Sequence, residues 1–143
     1  MNSLGGYNIE DLQVGMSASI GKTVTEADIV MFAGVSTDTN PLHLNDEWAK
    51  TTQFGGRIAH GMLSASFISA VLGNKLPGPG TVYLAQTLKF KAPVHIGDTV
   101  TATVTVRELT VDRRRCVLDT VCQVNGKPVI EGEANMYCTT EKA

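Results

Sequence analysis

The sequence predicts an α+β fold in which a curved antiparallel sheet wraps around one long central helix. The stretch from Ile58 to Asn74 contains no Asp, Glu, Lys or Arg, and its apolar residues go most of the way round a helix. A helix that is apolar on nearly every side is typically buried. After Gly80 the chain alternates apolar and polar residues over several segments, which is typical of strands. A chain of this size buries such a helix best by wrapping the sheet around it.

The chain length limits the number of domains. A length of 143 residues predicts one domain spanning residues 1–143, and the polar, glycine-containing residues 1–7 predict a flexible arm. A chain of this size buries about 68–70% of its unfolded surface, so its core needs neither metal nor disulfide. The sequence contains no glycine-rich phosphate loop and no zinc-ligand spacing, and we therefore expect no metal and no cofactor.

Charge and cysteine content exclude several classes of partner. The net charge is −2 with both signs spread along the chain, which argues against a nucleic-acid-binding face. Residues 1–12 are polar and no run is apolar enough to span a membrane, so we expect a cytoplasmic protein without a membrane partner. The cysteines are odd in number and form no CxxC pair, so we expect buried reduced thiols. They are Cys116, Cys122 and Cys138.

The N-terminal half is predicted to contain one strand, two helices and a turn between them. Val14–Val24 alternates apolar and small polar residues, which predicts a strand. Thr25, with Asp28 three residues later, matches a capping box and predicts the start of a helix. Ser36–His43 is rich in turn residues. The segment Asn45–Thr51 begins with capping residues and predicts a second, short helix.

The C-terminal half is predicted to contain the central helix and four strands. Gly73 and the Pro-Gly-Pro-Gly run at residues 77–80 end the helix. The predicted strands are Thr81–Val94, Thr99–Leu109, Arg115–Val124 and Pro128–Thr139. Asn125-Gly126 predicts a tight hairpin between the last two. We expect these four strands to pair antiparallel as a meander. Because an open sheet edge can be covered by a second copy, we also expect a symmetric homodimer.

Asp38 and His43 are the candidate catalytic pair. Residues five apart point about 140° apart on a helix and to opposite faces of a strand, so these side chains converge only if the chain turns between them. Asn40-Pro41 supplies that turn, because proline fixes its own φ and keeps the preceding residue extended. A carboxylate and an imidazole that hold one water can act as general base and acid. The alternative is an ordinary turn with a solvated or capping histidine.

The start of the central helix is a second candidate site. The first N–H groups of a helix lack internal partners and carry partial positive charge. Because Gly61 has no side chain, a ligand oxygen can approach its N–H closely, as in an oxyanion hole. The alternative is that Gly61 permits close packing of the helix on the sheet. His60 is expected to be a core or capping histidine, and the alternative is a catalytic role. Ser69 lies two turns further along the helix, where its hydroxyl can simply bond to a helix carbonyl.

With these residues in place, the chain resembles the R-specific enoyl-CoA hydratases of the MaoC-like, hot-dog fold family. The resemblance covers residues 14–139. It rests on Asp38-Thr39-Asn40-Pro41-Leu42-His43, on His60-Gly61-Met62 after a short helix, and on residues 76–98. It implies a central helix wrapped by an antiparallel sheet, and a homodimer whose two sheets join edge to edge.

The resemblance also implies a reaction. Water adds syn and reversibly to a trans-2-enoyl-CoA to give the (R)-3-hydroxyacyl-CoA, so coenzyme A belongs to the substrate and no separate cofactor is involved. Asp38 and His43 match the residues that hold and activate the water, and Asp38 matches the proton shuttle. The N–H of Gly61 matches the group that holds the thioester oxygen, and Asn40 is expected to support the pair. The implied pathway feeds fatty-acid oxidation intermediates into polyhydroxyalkanoate synthesis.

Two features concern the acyl pocket and the catalytic loop. Ser69 matches a position near the acyl pocket, and with Leu72 on the same helix it is expected to line the tunnel. One methylene in a pocket is worth about 1–3 kcal/mol, so single side chains decide chain-length preference. Thr37 stands where the family usually has glycine, and threonine is unfavourable at positive φ.

Other functions on the same fold stay open at this stage. A carrier-protein dehydratase usually pairs a histidine with a glutamate from another segment, and a thioesterase does not need the Asp38–His43 spacing. A non-catalytic acyl-CoA-binding domain is also compatible, because a sequence shows groups and not their geometry.

Overall fold

The computed structural model describes residues 1–142, which contain four α-helices and one five-stranded sheet. The strands are β1 (Ser17–Thr23), β2 (Val82–Phe90), β3 (Thr99–Thr110), β4 (Arg115–Val124) and β5 (Lys127–Tyr137). The α-helices are α1 (Glu26–Ser36), α2 (Pro41–Leu44), α3 (Asp46–Ala49) and α4 (Gly61–Asn74). This content confirms the predicted α+β class. No helix among these residues is long and apolar enough to cross a membrane.

The strands form one antiparallel sheet in the order β1-β3-β4-β5-β2. The hairpins β3–β4 and β4–β5 are formed as predicted. Asn125 and Gly126 both have positive φ in the second hairpin, as a tight turn of this type requires. The predicted four-strand meander is wrong at its first step, because β2 pairs with β5 at the sheet edge and not with β3.

The connection between β2 and β3 explains this difference. It does not form a hairpin but crosses over and meets the chain that enters α4. Ala59 N–H donates to Val94 O at 2.7 Å, and Ile58 forms an isolated bridge with His95. Asp98 O in turn accepts from Val24 N–H at 2.9 Å, which ties the end of the crossover to the end of β1. The crossover therefore brings residues 91–94 beside the start of α4.

The sheet wraps around α4, and the buried apolar residues of this helix pack with inward-facing residues of β3, β4 and β5 in one core. The prediction that the helix is buried on nearly every side is wrong for one stripe. Met62, Ser66 and Ser69 are exposed, and Met62 is 54% exposed. Their spacing puts them on one helical face. That face turns towards edge strand β2, with which it lines a common cavity.

Helix α1 begins at the predicted capping box. Thr25 Oγ1 accepts from Asp28 N–H at 3.1 Å, and Asp28 Oδ2 accepts from Thr25 N–H at 2.9 Å. The helix is followed by Thr37, which adopts the left-handed conformation with φ 65° and ψ 11°. This conformation is unfavourable for a β-branched residue. It turns the chain directly before Asp38.

Residues 1–7, which the sequence predicts to form a flexible arm, hydrogen-bond to the turn after α4. Asn2 Nδ2 donates to Pro79 O at 2.7 Å, and Tyr7 N–H donates to Pro77 O at 2.8 Å. The flexibility of the arm and the single-domain organisation stay predictions.

The three cysteines are buried and free, as predicted. Burial raises the pKa of the Cys122 thiol to about 12, so this thiol stays protonated at neutral pH. Its S–H donates to the backbone oxygen of Ser64 at 3.6 Å. These observations describe a core residue and not a nucleophile.

We expect Thr37→Gly to stabilise the fold. The left-handed conformation costs a non-glycine residue about 1–2 kcal/mol, and the greater freedom of glycine in the unfolded chain offsets about 0.4–1 kcal/mol of this. The free energy of unfolding in urea should therefore rise by about 0.5–1 kcal/mol. Thr39→Gly is the matched control, because Thr39 is not among the residues with positive φ, and it should lower that free energy. A loss of stability in both variants would contradict the strain at Thr37.

Candidate active site

Hydrogen bonds between side chains and the backbone of residues two positions away shape the loop that carries Asp38. The N–H of Asp38 donates to Ser36 Oγ at 3.1 Å. Asp38 Oδ1 accepts from Asn40 N–H at 3.2 Å. Asn40 is the N-cap of α2, and its Oδ1 accepts from Leu42 N–H at 3.0 Å. Bonds of this kind make Asp, Asn and Ser favourable in turns. They turn the chain between Asp38 and α2.

His43 lies in α2 with one ring nitrogen bound to the protein and the other on the cavity side. The residue is 8% exposed, and its Nδ1 lies 2.8 Å from the backbone oxygen of Ile58. Because a carbonyl oxygen can only accept, Nδ1 carries the hydrogen and the lone pair of the neutral ring is on Nε2. His43 can therefore accept a proton at Nε2.

Residues 57 and 58 hold the backbone of α2 as well as the ring of His43. Ile58 N–H donates to Leu42 O at 3.2 Å, and Arg57 Nε donates to His43 O at 2.5 Å. The buried guanidinium of Arg57 also donates to both carboxylate oxygens of Glu26, at 2.7 and 2.8 Å. Arg57 thus joins the start of α1 to the carbonyl of His43. Arg57 cannot be predicted as a site residue from the sequence, because no local pattern connects positions 26, 43 and 57.

His60 contacts both members of the predicted catalytic pair. It is 1% exposed, and its Nε2 lies 2.9 Å from the backbone oxygen of Asp38. Its ring stacks on the ring of His43 with centroids 3.9 Å apart and planes inclined by 27°. Phe32 of α1 packs on His60 at 4.9 Å in a tilted arrangement. From the sequence, His60 is expected to be a core or capping histidine, with a catalytic role as the alternative, and the structure adds these contacts.

The structure brings Asp38, His43 and His60 together. One polar atom from each side chain lies within 4.8 Å of the others. Two histidines and a carboxylate can in principle hold a transition metal. The imidazole lone pairs lie in the ring planes, however, and the planes of His43 and His60 are nearly parallel. Their lone pairs therefore do not converge well on one ion, and the arrangement suits hydrogen bonding to a water better. The expected absence of a metal stays a prediction.

Asp38, His43 and Gly61 line one cavity of about 490 Å³. Its walls are largely apolar and come from the start of α4, from Phe54 and from the crossover after β2. Gly61 is the first residue of α4, and its N–H makes no backbone hydrogen bond with any residue in 1–142. A Cβ at Gly61 would lie 2.6 Å from the ring of Phe90, so this glycine also allows the ring to pack closely.

Ser69 and Leu72, the predicted acyl-pocket residues, lie apart from this cavity. Ser69 lines a second cavity of about 550 Å³ between α4 and β2, and Met62 lines both cavities. Leu72 is buried in the core and is not among the residues that line either cavity. The acyl-pocket roles of Ser69 and Leu72 stay predictions.

The family follows from a comparison with known proteins. A family model described as a MaoC-like domain matches residues 11–136. The chain belongs to the MaoC-like domain family. This match covers every residue of the predicted site.

Relatives of this MaoC-like domain are similar over nearly their whole length. A protein of Rhodospirillum rubrum named (R)-specific enoyl-CoA hydratase is 61% identical over 91% of this chain and 90% of its own. The unliganded R-hydratase PhaJ1 from Pseudomonas aeruginosa superposes with a TM-score of 0.90 at 42% identity, covering 95% of this chain and 88% of that one. The (R)-hydratase from A. caviae involved in PHA biosynthesis superposes with a TM-score of 0.88 at 43% identity, covering 90% of this chain and 98% of that one. The predicted hot-dog fold is confirmed.

We expect His43 and His60 to be in opposite neutral tautomers. Each ring donates to a backbone carbonyl, but His43 uses Nδ1 and His60 uses Nε2. Long-range ¹H–¹⁵N correlation spectra, recorded where both rings are neutral, should show Nδ1–H for His43 and Nε2–H for His60. His43→Gln and His60→Gln assign the signals. The more exposed His95 serves as a comparison, since its Nε2 contact to Phe54 O is long, at 3.4 Å. The same tautomer at both rings would contradict the hydrogen bonds described.

Proposed function

We propose that this protein is an (R)-specific enoyl-CoA hydratase. It catalyses the reversible syn addition of water to a trans-2-enoyl-CoA and forms the (R)-3-hydroxyacyl-CoA. The observation that carries the proposal is the convergence of Asp38 and His43 on a cavity that Gly61, the first residue of α4, also lines. The relative named (R)-specific enoyl-CoA hydratase, 61% identical over 91% of the chain, supports the same reaction.

The water is held between the carboxylate of Asp38 and Nε2 of His43. Both groups are hydrogen-bond acceptors when Asp38 is ionised and the ring carries its hydrogen on Nδ1. A water that donates to two acceptors presents its oxygen lone pairs to the electrophilic C3 of the enoyl group. Positioning of this kind combines orientation with general-base catalysis.

The reaction balances without an external reagent. One O–H bond of the water breaks, the oxygen bonds to C3, and the π electrons of the C2–C3 bond move towards the thioester oxygen. Asp38 takes the proton from the water as the oxygen bonds to C3 and then delivers it to C2 as the electrons return, which regenerates the carboxylate. Because only a proton and a hydroxyl group are transferred, the reaction needs no redox cofactor, and coenzyme A enters only as part of the substrate.

The N–H of Gly61 stabilises the thioester oxygen while it carries negative charge. This N–H is at the positive end of α4 and has no internal helical partner. A donor fixed before the reaction stabilises the transient enolate without reorganisation, as in other oxyanion holes. The acyl chain runs from this point over Met62 towards Ser69. This path follows from Met62, which lines both cavities, and from Ser69, which lines the second.

The protein acts as a homodimer whose subunits meet at β2. This strand is at a sheet edge and exposes the apolar residues Val82 and Leu84. The opposite edge, β1, exposes mainly small polar residues, and Lys75 Nζ covers its Ser19 carbonyl at 2.8 Å. An open apolar edge favours pairing with another strand.

A cytoplasmic location and a supply of monomers for polyhydroxyalkanoate synthesis fit the reaction, and the A. caviae relative involved in PHA biosynthesis supports the proposed pathway.

Crotonyl-CoA hydration tests the function. The purified protein should remove the enoyl absorbance of crotonyl-CoA, and an R-specific 3-hydroxyacyl-CoA dehydrogenase should oxidise the product. Asp38→Asn removes the group that transfers the proton, and His43→Gln removes the second acceptor that holds the water, so kcat should fall by about 10²–10⁴-fold in each variant. The matched controls are Asp112→Asn and His95→Gln, which change the same residue types outside the cavity lined by Asp38 and His43. Both controls should keep the parent rate.

Other outcomes separate the alternatives. Release of free coenzyme A would indicate a thioesterase, and a strong preference for crotonyl carried on acyl-carrier protein would indicate a dehydratase of fatty-acid synthesis. Binding of crotonyl-CoA without turnover, with longer enoyl-CoA thioesters equally inert, would indicate a binding domain. An S product would leave the fold unchanged and reject the proposed face of attack.

Light scattering after size exclusion tests the dimer. The parent protein should have about twice the 15.2 kDa mass of one chain. Leu84→Lys places a charge on the β2 edge and should shift the mass towards one chain, because charged edge residues oppose strand pairing. Val111→Lys is the matched control, since Val111 is 45% exposed against 43% for Leu84 and lies between β3 and β4. A dimer that survives Leu84→Lys would place the interface elsewhere.

A further inference from the structure

We propose that His60 is a positioning residue that holds Asp38 and His43 in one fixed arrangement. The proposal rests on the proposed function, because it assigns a task to His60 in the hydration of the enoyl thioester. His60 is not assigned a reacting atom. It acts through the two residues that it contacts, one by a hydrogen bond and the other by ring stacking.

The hydrogen bond fixes the loop at Asp38. The other hydrogen bonds of residues 38–40 in the described chain are local and link positions two or three apart. The contact from His60 Nε2 to Asp38 O joins residues 22 positions apart. His60 precedes the first residue of α4, so this bond connects the loop to the central helix. Without it, the position of the Asp38 carboxylate depends on a short turn exposed to solvent.

The stacking contact fixes the orientation of His43. The ring of His43 is bound along one edge by Ile58 O, and that bond alone allows the ring to tilt. The flat face of His60, 3.9 Å away, restricts this tilt. Phe32 supports the arrangement by packing on His60 at 4.9 Å. The direction of the Nε2 lone pair of His43 is therefore set by two contacts.

The burial of His60 argues against a role limited to filling space. Its Nδ1 is buried and has no hydrogen-bond partner within residues 1–142. Burying a polar atom without a partner is unfavourable, and an apolar side chain at this position would avoid it. A side chain that must supply both a donor at Asp38 and a flat ring at His43 accounts for an imidazole here.

Two substitutions separate the two contacts. His60→Phe keeps a flat ring and removes the donor, while His60→Gln keeps an amide donor and removes the ring. Both should lower kcat for crotonyl-CoA while KM stays within about threefold, because His60, although it borders the cavity, is 1% exposed and offers the substrate almost no surface. A displacement of about 1 Å in a reacting group can cost 10²-fold in rate, so we expect a loss of about 10–100-fold in His60→Phe. His60→Gln should retain more activity than His60→Phe if the bond to Asp38 dominates.

An NMR measurement reports the stacking without relying on turnover. The carbon-bound ring protons of His43 should resonate upfield in the parent because of the ring of His60. That shift should persist in His60→Phe and disappear in His60→Gln. His95→Phe is the matched control for replacing a histidine by phenylalanine, and it should leave kcat and the His43 shifts unchanged. Urea unfolding of each variant shows whether it is folded at the assay temperature.

The outcomes distinguish the inference from the function on which it rests. An inactive parent protein would reject the proposed function and the inference with it. An active parent, together with folded His60 variants whose kcat stays within twofold, would reject the inference alone. A rise in KM at constant kcat would also reject it, because His60 would then contribute to binding. If His60→Phe does not fold, the kcat of His60→Gln and the His43 ring shifts decide between these outcomes.

Discussion

The site depends on the attachment of an irregular loop to the chain that enters the central helix. Asp38 and His43 lie on a turn and a one-turn helix, neither of which is rigid by itself. Residues 57–60 hold this segment through the bonds of Ile58 and Arg57 to α2 and of His60 to Asp38. Since the buried face of α4 belongs to the core, these bonds attach the loop to the core. The geometry of the site is thus a consequence of the packing of one helix.

The same helix also lines the cavity. Its first residue, Gly61, lines the cavity and has an N–H without a backbone partner in residues 1–142, while its later turns fill the core. Gly61 satisfies two demands at once, because the missing side chain exposes the N–H and allows Phe90 to pack at a distance that a Cβ would forbid. The sequence offers two explanations for Gly61, close approach of a ligand oxygen to its N–H and close packing of the helix on the sheet, and the two are therefore compatible.

Features set by neighbours in the chain could be predicted from the sequence, and features set by distant contacts could not. The capping box at Thr25, the hairpin at Asn125-Gly126 and the turn after Asp38 depend on residues a few positions apart. The place of β2 at the far edge depends on a crossover held by Ala59 and Val94, which no local pattern encodes. The exposed stripe on α4 follows from that placement. Arg57 was missed for the same reason, since its partners are 14 and 31 positions away.

The charges around the loop leave the acceptors of the site free. Arg57 is the cation that holds α2, yet its guanidinium is directed to Glu26 and to the carbonyl of His43, and no ion pair in residues 1–142 joins it to Asp38. Arg57 therefore fixes the loop without neutralising the carboxylate of Asp38. Both histidines donate to backbone carbonyls, so that neither needs the side chain of Asp38 as a partner. Asp38 Oδ1 accepts from Asn40 N–H, but Asp38 Oδ2 and His43 Nε2 have no hydrogen bond or ion pair within residues 1–142, as the proposed hydration requires of the two groups that hold the water.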